Sequence, residues 1–290
     1  FTAHTITTDA DGAYSVYAVD VNGDGDMDVL SASVTDDKIA WYENDGSENF
    51  TAHTITNDAD YAYSVYAVDV DGDGDMDVLS ASATDDKIAW YENNGSQSFT
   101  DHTITTDADG AYSVYAVDMD GDGDMDVLSA SATDDKIAWY ENDGSESFTA
   151  HTITTSADGA ETVYAVDVDG DGDMDVLSAS YGDDKIAWYE NNGSQSFTAH
   201  TITTDADGAY SVYAVDVDGD GDMDVLSASI IDYKIAWYEN SGLSCDSGFI
   251  EIEGECYWEQ DIQFLKDLIA NSDLTIEPLD LGDQNWTNGR

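Results

Sequence analysis

A block of 49 residues occurs five times in this chain, and a unit of that length made of short strands cannot bury its own apolar faces. Phe1-Thr-Ala-His-Thr-Ile returns at Phe50, Phe99, Phe148 and Phe197, with Asp101 the one change in its third position, so five units fill residues 1 to about 242. Such a unit needs a neighbour on either side, which restricts the fold to an array of stacked sheets.

In the second unit, strands are expected over Tyr63 to Val70, Asp77 to Ser82, Lys87 to Asn93 and Phe99 to Thr105. Runs of Val, Ile, Tyr and Trp set them, and Thr84-Asp-Asp and Asn93-Asn-Gly-Ser supply turns between them. The chain opens on a fourth strand, Phe1 to Thr7, and the repeats end after a third, Lys234 to Asn240. The expectation is therefore an all-β fold, a five-bladed propeller whose N-terminal strand closes the last blade.

Between the first two strands of each unit lies a run of acids at alternate positions. The runs are Asp20, Asn22, Asp24, Asp26 and Asp28; Asp69, Asp71, Asp73, Asp75 and Asp77; Asp118, Asp120, Asp122, Asp124 and Asp126; Asp167, Asp169, Asp171, Asp173 and Asp175; and Asp216, Asp218, Asp220, Asp222 and Asp224. Like charges so close repel by ~1 kcal/mol per pair even in water, and a hard cation reverses the sign. Oxygens at loop positions 1, 3, 5 and 9, with the carbonyl of position 7 and a turn glycine at 6, match a calcium loop. Position 12 is Ser31 where a helical calcium loop has Glu, and the flanks are strand-like, so this loop joins two strands. The alternative is an acidic, solvated hairpin tip, which has no need of a glycine at one fixed place in every unit.

The chain has 64 acidic and 7 basic side chains, a formal charge of -57, which argues against nucleic acid or anionic membranes as partners. No apolar run reaches the ~18 residues of a membrane span.

The unit Tyr-Ala-Val-Asp-Val-Asp-Gly-Asp-Gly-Asp-Met-Asp-Val-Leu, followed by Lys-Ile-Ala-Trp-Tyr-Glu-Asn, resembles the FG-GAP/VCBS repeats of bacterial secreted proteins, relatives of the integrin α-subunit propeller. The resemblance implies one Ca2+ per blade, held by the residues named above. It also implies an extracellular or cell-surface setting, often in adhesion, with a protein, a glycan or another copy as partner. Family propellers usually have seven blades, and five units are present here.

Other residues admit duller roles. His4, His53, His102, His151 and His200 stand one period apart, too far to share a metal, and read as surface or packing residues. Trp41, Trp90, Trp139, Trp188 and Trp237 read as packing between blades, or as platforms for sugar stacking in the grooves. Asp85-Asp86 reads as a turn, with a weak second calcium site as the alternative. The column Thr-Asp-Ala-Asp-Gly changes to Thr155-Ser-Ala in the fourth unit and is left out of the metal set.

From residue 243 to 290 the composition changes. Cys245 and Cys256 suggest a hairpin clasped by a disulfide, with free thiols as the alternative, and Asp261 to Asn271 suggests a short amphipathic helix. This tail is similar to the cap that precedes leucine-rich repeats in surface proteins. Near-identical units offer no singular catalytic constellation, so the chain is expected not to be an enzyme. Three functions remain: a calcium-rigidified structural or adhesion module, a multivalent lectin with pockets between blades, and a filament subunit that exchanges its first strand.

Overall fold

A computed structural model describes residues 1–242, 249–252 and 255–258. It has two compact units: Phe1–Val168 with Gly172–Glu239, and Asp169–Asp171 with Asn240–Arg290. Among the described residues every regular element is a strand, and no helix is long and apolar enough to cross a membrane.

The first unit contains four four-stranded antiparallel meanders and one three-stranded sheet. The first meander is β1 (Ala13–Val19), β2 (Asp28–Ser33), β3 (Lys38–Asn44) and β4 (Phe50–Thr56). The second is β5 (Ala62–Val68), β6 (Asp77–Ser82), β7 (Lys87–Asn93) and β8 (Phe99–Thr105). The third comprises β9 (Ala111–Val117), β10 (Asp126–Ser131), β11 (Lys136–Asn142) and β12 (Phe148–Thr154). The fourth comprises β13 (Ala160–Val166), β14 (Asp175–Ser180), β15 (Lys185–Asn191) and β16 (Phe197–Thr203). The last sheet is β17 (Ala209–Val215), β18 (Asp224–Ser229) and β19 (Lys234–Tyr238). Three of the four strands expected in the second unit have the observed bounds, and the first begins one residue earlier and ends two earlier.

Each sheet packs its face on the next. Leu30, Ala32, Ile39 and Trp41 of the first sheet share a core with Ala62, Val65, Ala67 and Val78 of the second, and this arrangement recurs along the unit. Trp41, Trp90 and Trp139 are fully buried there, which removes them as sugar platforms. The first strands of consecutive sheets lie beside one another. Their tyrosines Tyr17, Tyr66, Tyr115, Tyr164 and Tyr213 form a series with centroids 4.8 to 5.0 Å apart.

The turn between β6 and β7 holds the segments that lead into and out of its sheet. Asp86, held at φ 55°, accepts from Gly110 N through Oδ1 at 2.9 Å and from Ala108 N through its carbonyl at 3.2 Å. Lys87 pairs with Asp85 at 3.2 Å and donates to the Asp58 carbonyl at 2.7 Å. The Asp85-Asp86 turn therefore ties one sheet to the next, and its cation partner is a lysine.

The N-terminal closure expected from the sequence is not present. Phe1–Thr7 is not a strand, and the fifth sheet ends at β19 with three strands. The edge that would receive it is short, since β19 stops at Tyr238 whereas β3, β7, β11 and β15 run on to an asparagine. His4–Thr8 instead border a cleft with Ala13, Ser15, Val16 and Val29. Val16 is 72% exposed and Ile235 80%, against 4% for Val65 and 0% for Ile39 at the equivalent internal positions.

In the second unit, β20 (Phe249–Ile252) and β21 (Glu255–Trp258) form an antiparallel hairpin. The disulfide expectation rests on Cys245, and the helix and leucine-rich cap on residues beyond 258; these lie outside the described residues.

Candidate metal centres

In each acidic loop the chain reverses between two strands, and its geometry comes from carboxylates binding backbone amides. In the second loop Asp69 accepts from Gly72 N through Oδ1 at 2.8 Å and from Gly74 N through Oδ2 at 3.0 Å. Asp71 accepts from Asp73 N at 3.1 Å, and Asp73 from Asp75 N at 2.9 Å. Gly72 and Gly74 sit at φ 75° and 98° with open space where a side chain would be, so backbone conformation alone selects glycine.

Position 9 is the anchor. Asp77 is fully buried and accepts from Val70 N through Oδ2 at 2.9 Å and from Asn93 N through Oδ1 at 2.7 Å. It thereby joins the loop to the third strand. Asp28, Asp126, Asp175 and Asp224 are equally buried, and each accepts from the equivalent loop amide. Burial raises Asp77 to about 7 and Asp126 to about 6 despite those amide bonds.

Carboxylate oxygens converge within 4.8 Å in Asp69, Asp71 and Asp77, in Asp118, Asp120 and Asp122, and in Asp216, Asp218 and Asp224. Three oxygens at that separation can share one hard cation, with carbonyls and water completing its shell. In the first loop Asn22 removes one charge, and its amide donates to Asp24 Oδ2 at 3.0 Å. Of the fourth loop, Asp167 accepts from Gly172 N at 3.0 Å and Asp175 from Val168 N at 3.0 Å.

The acid at position 7 has a separate task. Asp26, Asp75, Asp124 and Asp173 lean on Gly46, Gly95, Gly144 and Gly193 of the turn after the third strand, where an added Cβ would strike the carboxylate. Gly95→Ala is expected to cost ~1–2 kcal/mol through its φ of 69° alone, read as a lower urea midpoint, and to weaken ion binding in that loop as Asp75 shifts.

The asparagine ending the third strand was missed as a site residue. Asn93 Nδ2 donates to Met76 O at 3.1 Å and to Val21 O of the preceding loop at 3.0 Å, and Asn142 repeats this toward Met125 and Val70. These amides link consecutive acidic loops across the sheet interface. The only signal was its recurrence in Trp-Tyr-Glu-Asn, and its partner lies 72 residues away.

The histidines do not approach the loops' acids as ligands. His102 Nε2 lies 2.8 Å from Glu92 Oε2 and its ring packs on Trp90 at 4.6 Å, with His53, His151 and His200 placed alike. His4 is exposed.

The family model for the FG-GAP-like repeat matches residues 20–80, 69–129, 118–178 and 167–227, each match running from one acidic loop through the next. The chain belongs to the FG-GAP-like repeat family. Solved structures similar to this FG-GAP chain include an Agrocybe aegerita lectin described as recognising non-reducing terminal N-acetylglucosamine. That likeness has 20% identity and a TM-score of 0.54, over 74% of this chain and 60% of the lectin. A functionally unknown protein from Desulfotomaculum acetoxidans matches at 12% identity and TM-score 0.54, over 83% of this chain and 74% of its own. The V. cholerae biofilm matrix protein Bap1 matches at 19% and 0.52, over 83% of this chain and 40% of Bap1. The FG-GAP chain thus spans about three fifths of the lectin and two fifths of Bap1, and these likenesses are of fold alone. No curated protein matches the sequence.

Proposed function

We propose that this FG-GAP chain is a non-catalytic, calcium-binding structural or adhesion module of the cell exterior, its repeats the blades of a propeller and each acidic loop holding one Ca2+. The observation that carries this reading is the convergence of carboxylate oxygens within 4.8 Å in successive loops, each beside a fully buried aspartate that anchors the loop to its sheet. Calcium would offset two of the loop's five negative charges and fix the strand reversal from which Asp77 and Asn93 reach the neighbouring elements. Magnesium suits these loops less well, because it holds its waters and requires a tighter octahedron. Even with five ions the surface stays strongly anionic, which favours surroundings rich in divalent cations. Tyr14 reaching both Tyr63 and Tyr210 supports the propeller, since it brings the first strands of the first, second and fifth sheets together. A surface protein or a glycan is the partner class this reading supports, in keeping with the lectin and the matrix protein among structures of similar fold.

Calorimetric titration of metal-stripped chain with calcium tests the proposal. About five sites with Kd near 10⁻⁴ to 10⁻³ M are expected, with weaker heats for magnesium; an absence of calcium heat would overturn it. A glycan array run beside it separates the lectin reading. With Trp41, Trp90 and Trp139 buried, any saccharide bound should survive Trp90→Phe, and loss of that binding would restore the sugar-platform role; Trp237, 45% exposed, is the tryptophan open to solvent.

A further inference from the structure

Four of the five first strands read Ala-Tyr-Ser-Val-Tyr-Ala-Val, and β13 alone reads Ala-Glu-Thr-Val-Tyr-Ala-Val. In all five the pairing register slips at the second residue. A bulge of this kind takes one residue out of the ladder and re-aims its side chain.

The re-aimed tyrosines meet. Tyr63 stacks on Tyr112 with centroids 4.2 Å apart, Tyr14 stands edge-on to Tyr63 at 4.6 Å, and Tyr14 lies 6.5 Å from Tyr210. The sequence Tyr210, Tyr14, Tyr63, Tyr112 follows β17, β1, β5 and β9, and the remaining place belongs to Glu161 on β13, which packs between β9 and β17. Beside it Thr162 Oγ1 donates to the Tyr210 carbonyl at 2.7 Å, tying the strand with the exceptional residue to its neighbour. Glu161 is half-buried, and among the described residues its carboxyl has no hydrogen-bond or ion-pair partner. Loss of water alone pushes it up to about 7.

We propose that this circuit of four tyrosines closed by one carboxylate binds an alkylammonium cation. The carboxylate supplies the counter-charge, and the rings of Tyr112 and Tyr210 on the two flanking strands supply the quadrupole that attracts a soft organic cation, with Tyr63 stacked behind Tyr112. A single carboxylate does not meet the six to eight oxygens that calcium takes, so the site differs in kind from the acidic loops. Tyr14, 46% exposed, gives a route from solvent, and the charge of -57 concentrates cations at the surface.

The full chain in calcium buffer is titrated with n-butylammonium and, separately, with Nα-acetyl-lysine amide, which stands in for a partner's lysine side chain. Saturable binding of n-butylammonium is expected. It should weaken about tenfold in Glu161→Gln, equivalent to ~1.4 kcal/mol, and vanish in Glu161→Tyr, which restores the residue of the other four strands. Saturation by the lysine amide as well would assign the site to a protein partner, and saturation by the free amine alone to a small amine. Diffuse attraction to the acidic surface survives Glu161→Gln, because only one of 64 acids is lost. No saturation with the native chain, or equal binding by Glu161→Tyr with an unchanged melting profile, overturns the proposal.

Discussion

Stripping calcium from the folded chain is expected to lower its melting temperature by ~20 °C or more. At free calcium ten to a hundred times Kd, each site stabilises by ~1.4–2.7 kcal/mol, and five such sites together by ~7–13 kcal/mol. A domain's whole stability is ~5–15 kcal/mol, so the ions would supply a large share of it and the stripped chain would stay folded by a narrower margin. The pH response should change direction with the metal. Asp77 and Asp126 are raised in the metal-free fold to about 7 and about 6, above the value near 3.9 of an unfolded aspartate. Their raised values mean that folding binds protons. The stabilisation is complete below ~pH 4 and is lost as pH rises through 6 to 7. In chelator the chain should therefore melt higher at pH 5 than at pH 8, and in calcium, which requires the ionised acids, lower at pH 5. Thermal scans at the two pH values, with and without chelator, measure both effects. Coincident curves would remove the ions from the account of stability.

Asp77→Ala is expected to be the most damaging single change in any loop, costing ~2–5 kcal/mol. The side chain is fully buried and satisfies two amides, Val70 N and Asn93 N, and a buried donor left unpaired costs ~1–3 kcal/mol. Asp77→Asn keeps the shape but has only one accepting atom, so it should cost about half as much. Asp73→Ala, which removes one exposed loop contact to Asp75 N, should cost under ~1 kcal/mol in chelator. Urea unfolding in chelator separates this anchoring role from calcium binding. If Asp77→Ala and Asp73→Ala unfold at the same midpoint there, position 9 is no anchor.

Much of this was legible in the sequence, since alternating apolar residues and fixed turn chemistry locate strands without tertiary information. Lys87–Asn93 and Asp77–Ser82 followed from Val, Ile and Trp placed between Asp-Asp and Asn-Gly turns. The acidic loop was equally plain, because glycine and carboxylate spacing is local chemistry. What escaped notice depends on partners far along the chain. Asn93 bonds to Val21 O, 72 residues back, and Asp86 bonds to Gly110 N, 24 residues on. The bulge at Tyr63 breaks the two-residue period, so counting along the strand did not show that Tyr14, Tyr63 and Tyr112 would meet. Strand closure by Phe1–Thr7 was inferred from the phase of the repeat, but pairing also requires a full-length edge, and β19 stops two residues short of its counterparts.

In the proposed function each acidic loop grips one divalent ion. Equilibrium dialysis against radioactive calcium, on the native chain and on Asp69→Asn/Asp71→Asn, counts those ions directly. About five per chain and about four in the variant are expected, one ion for each loop of paired carboxylates. A count near zero, or one that the double substitution leaves unchanged, would contradict it.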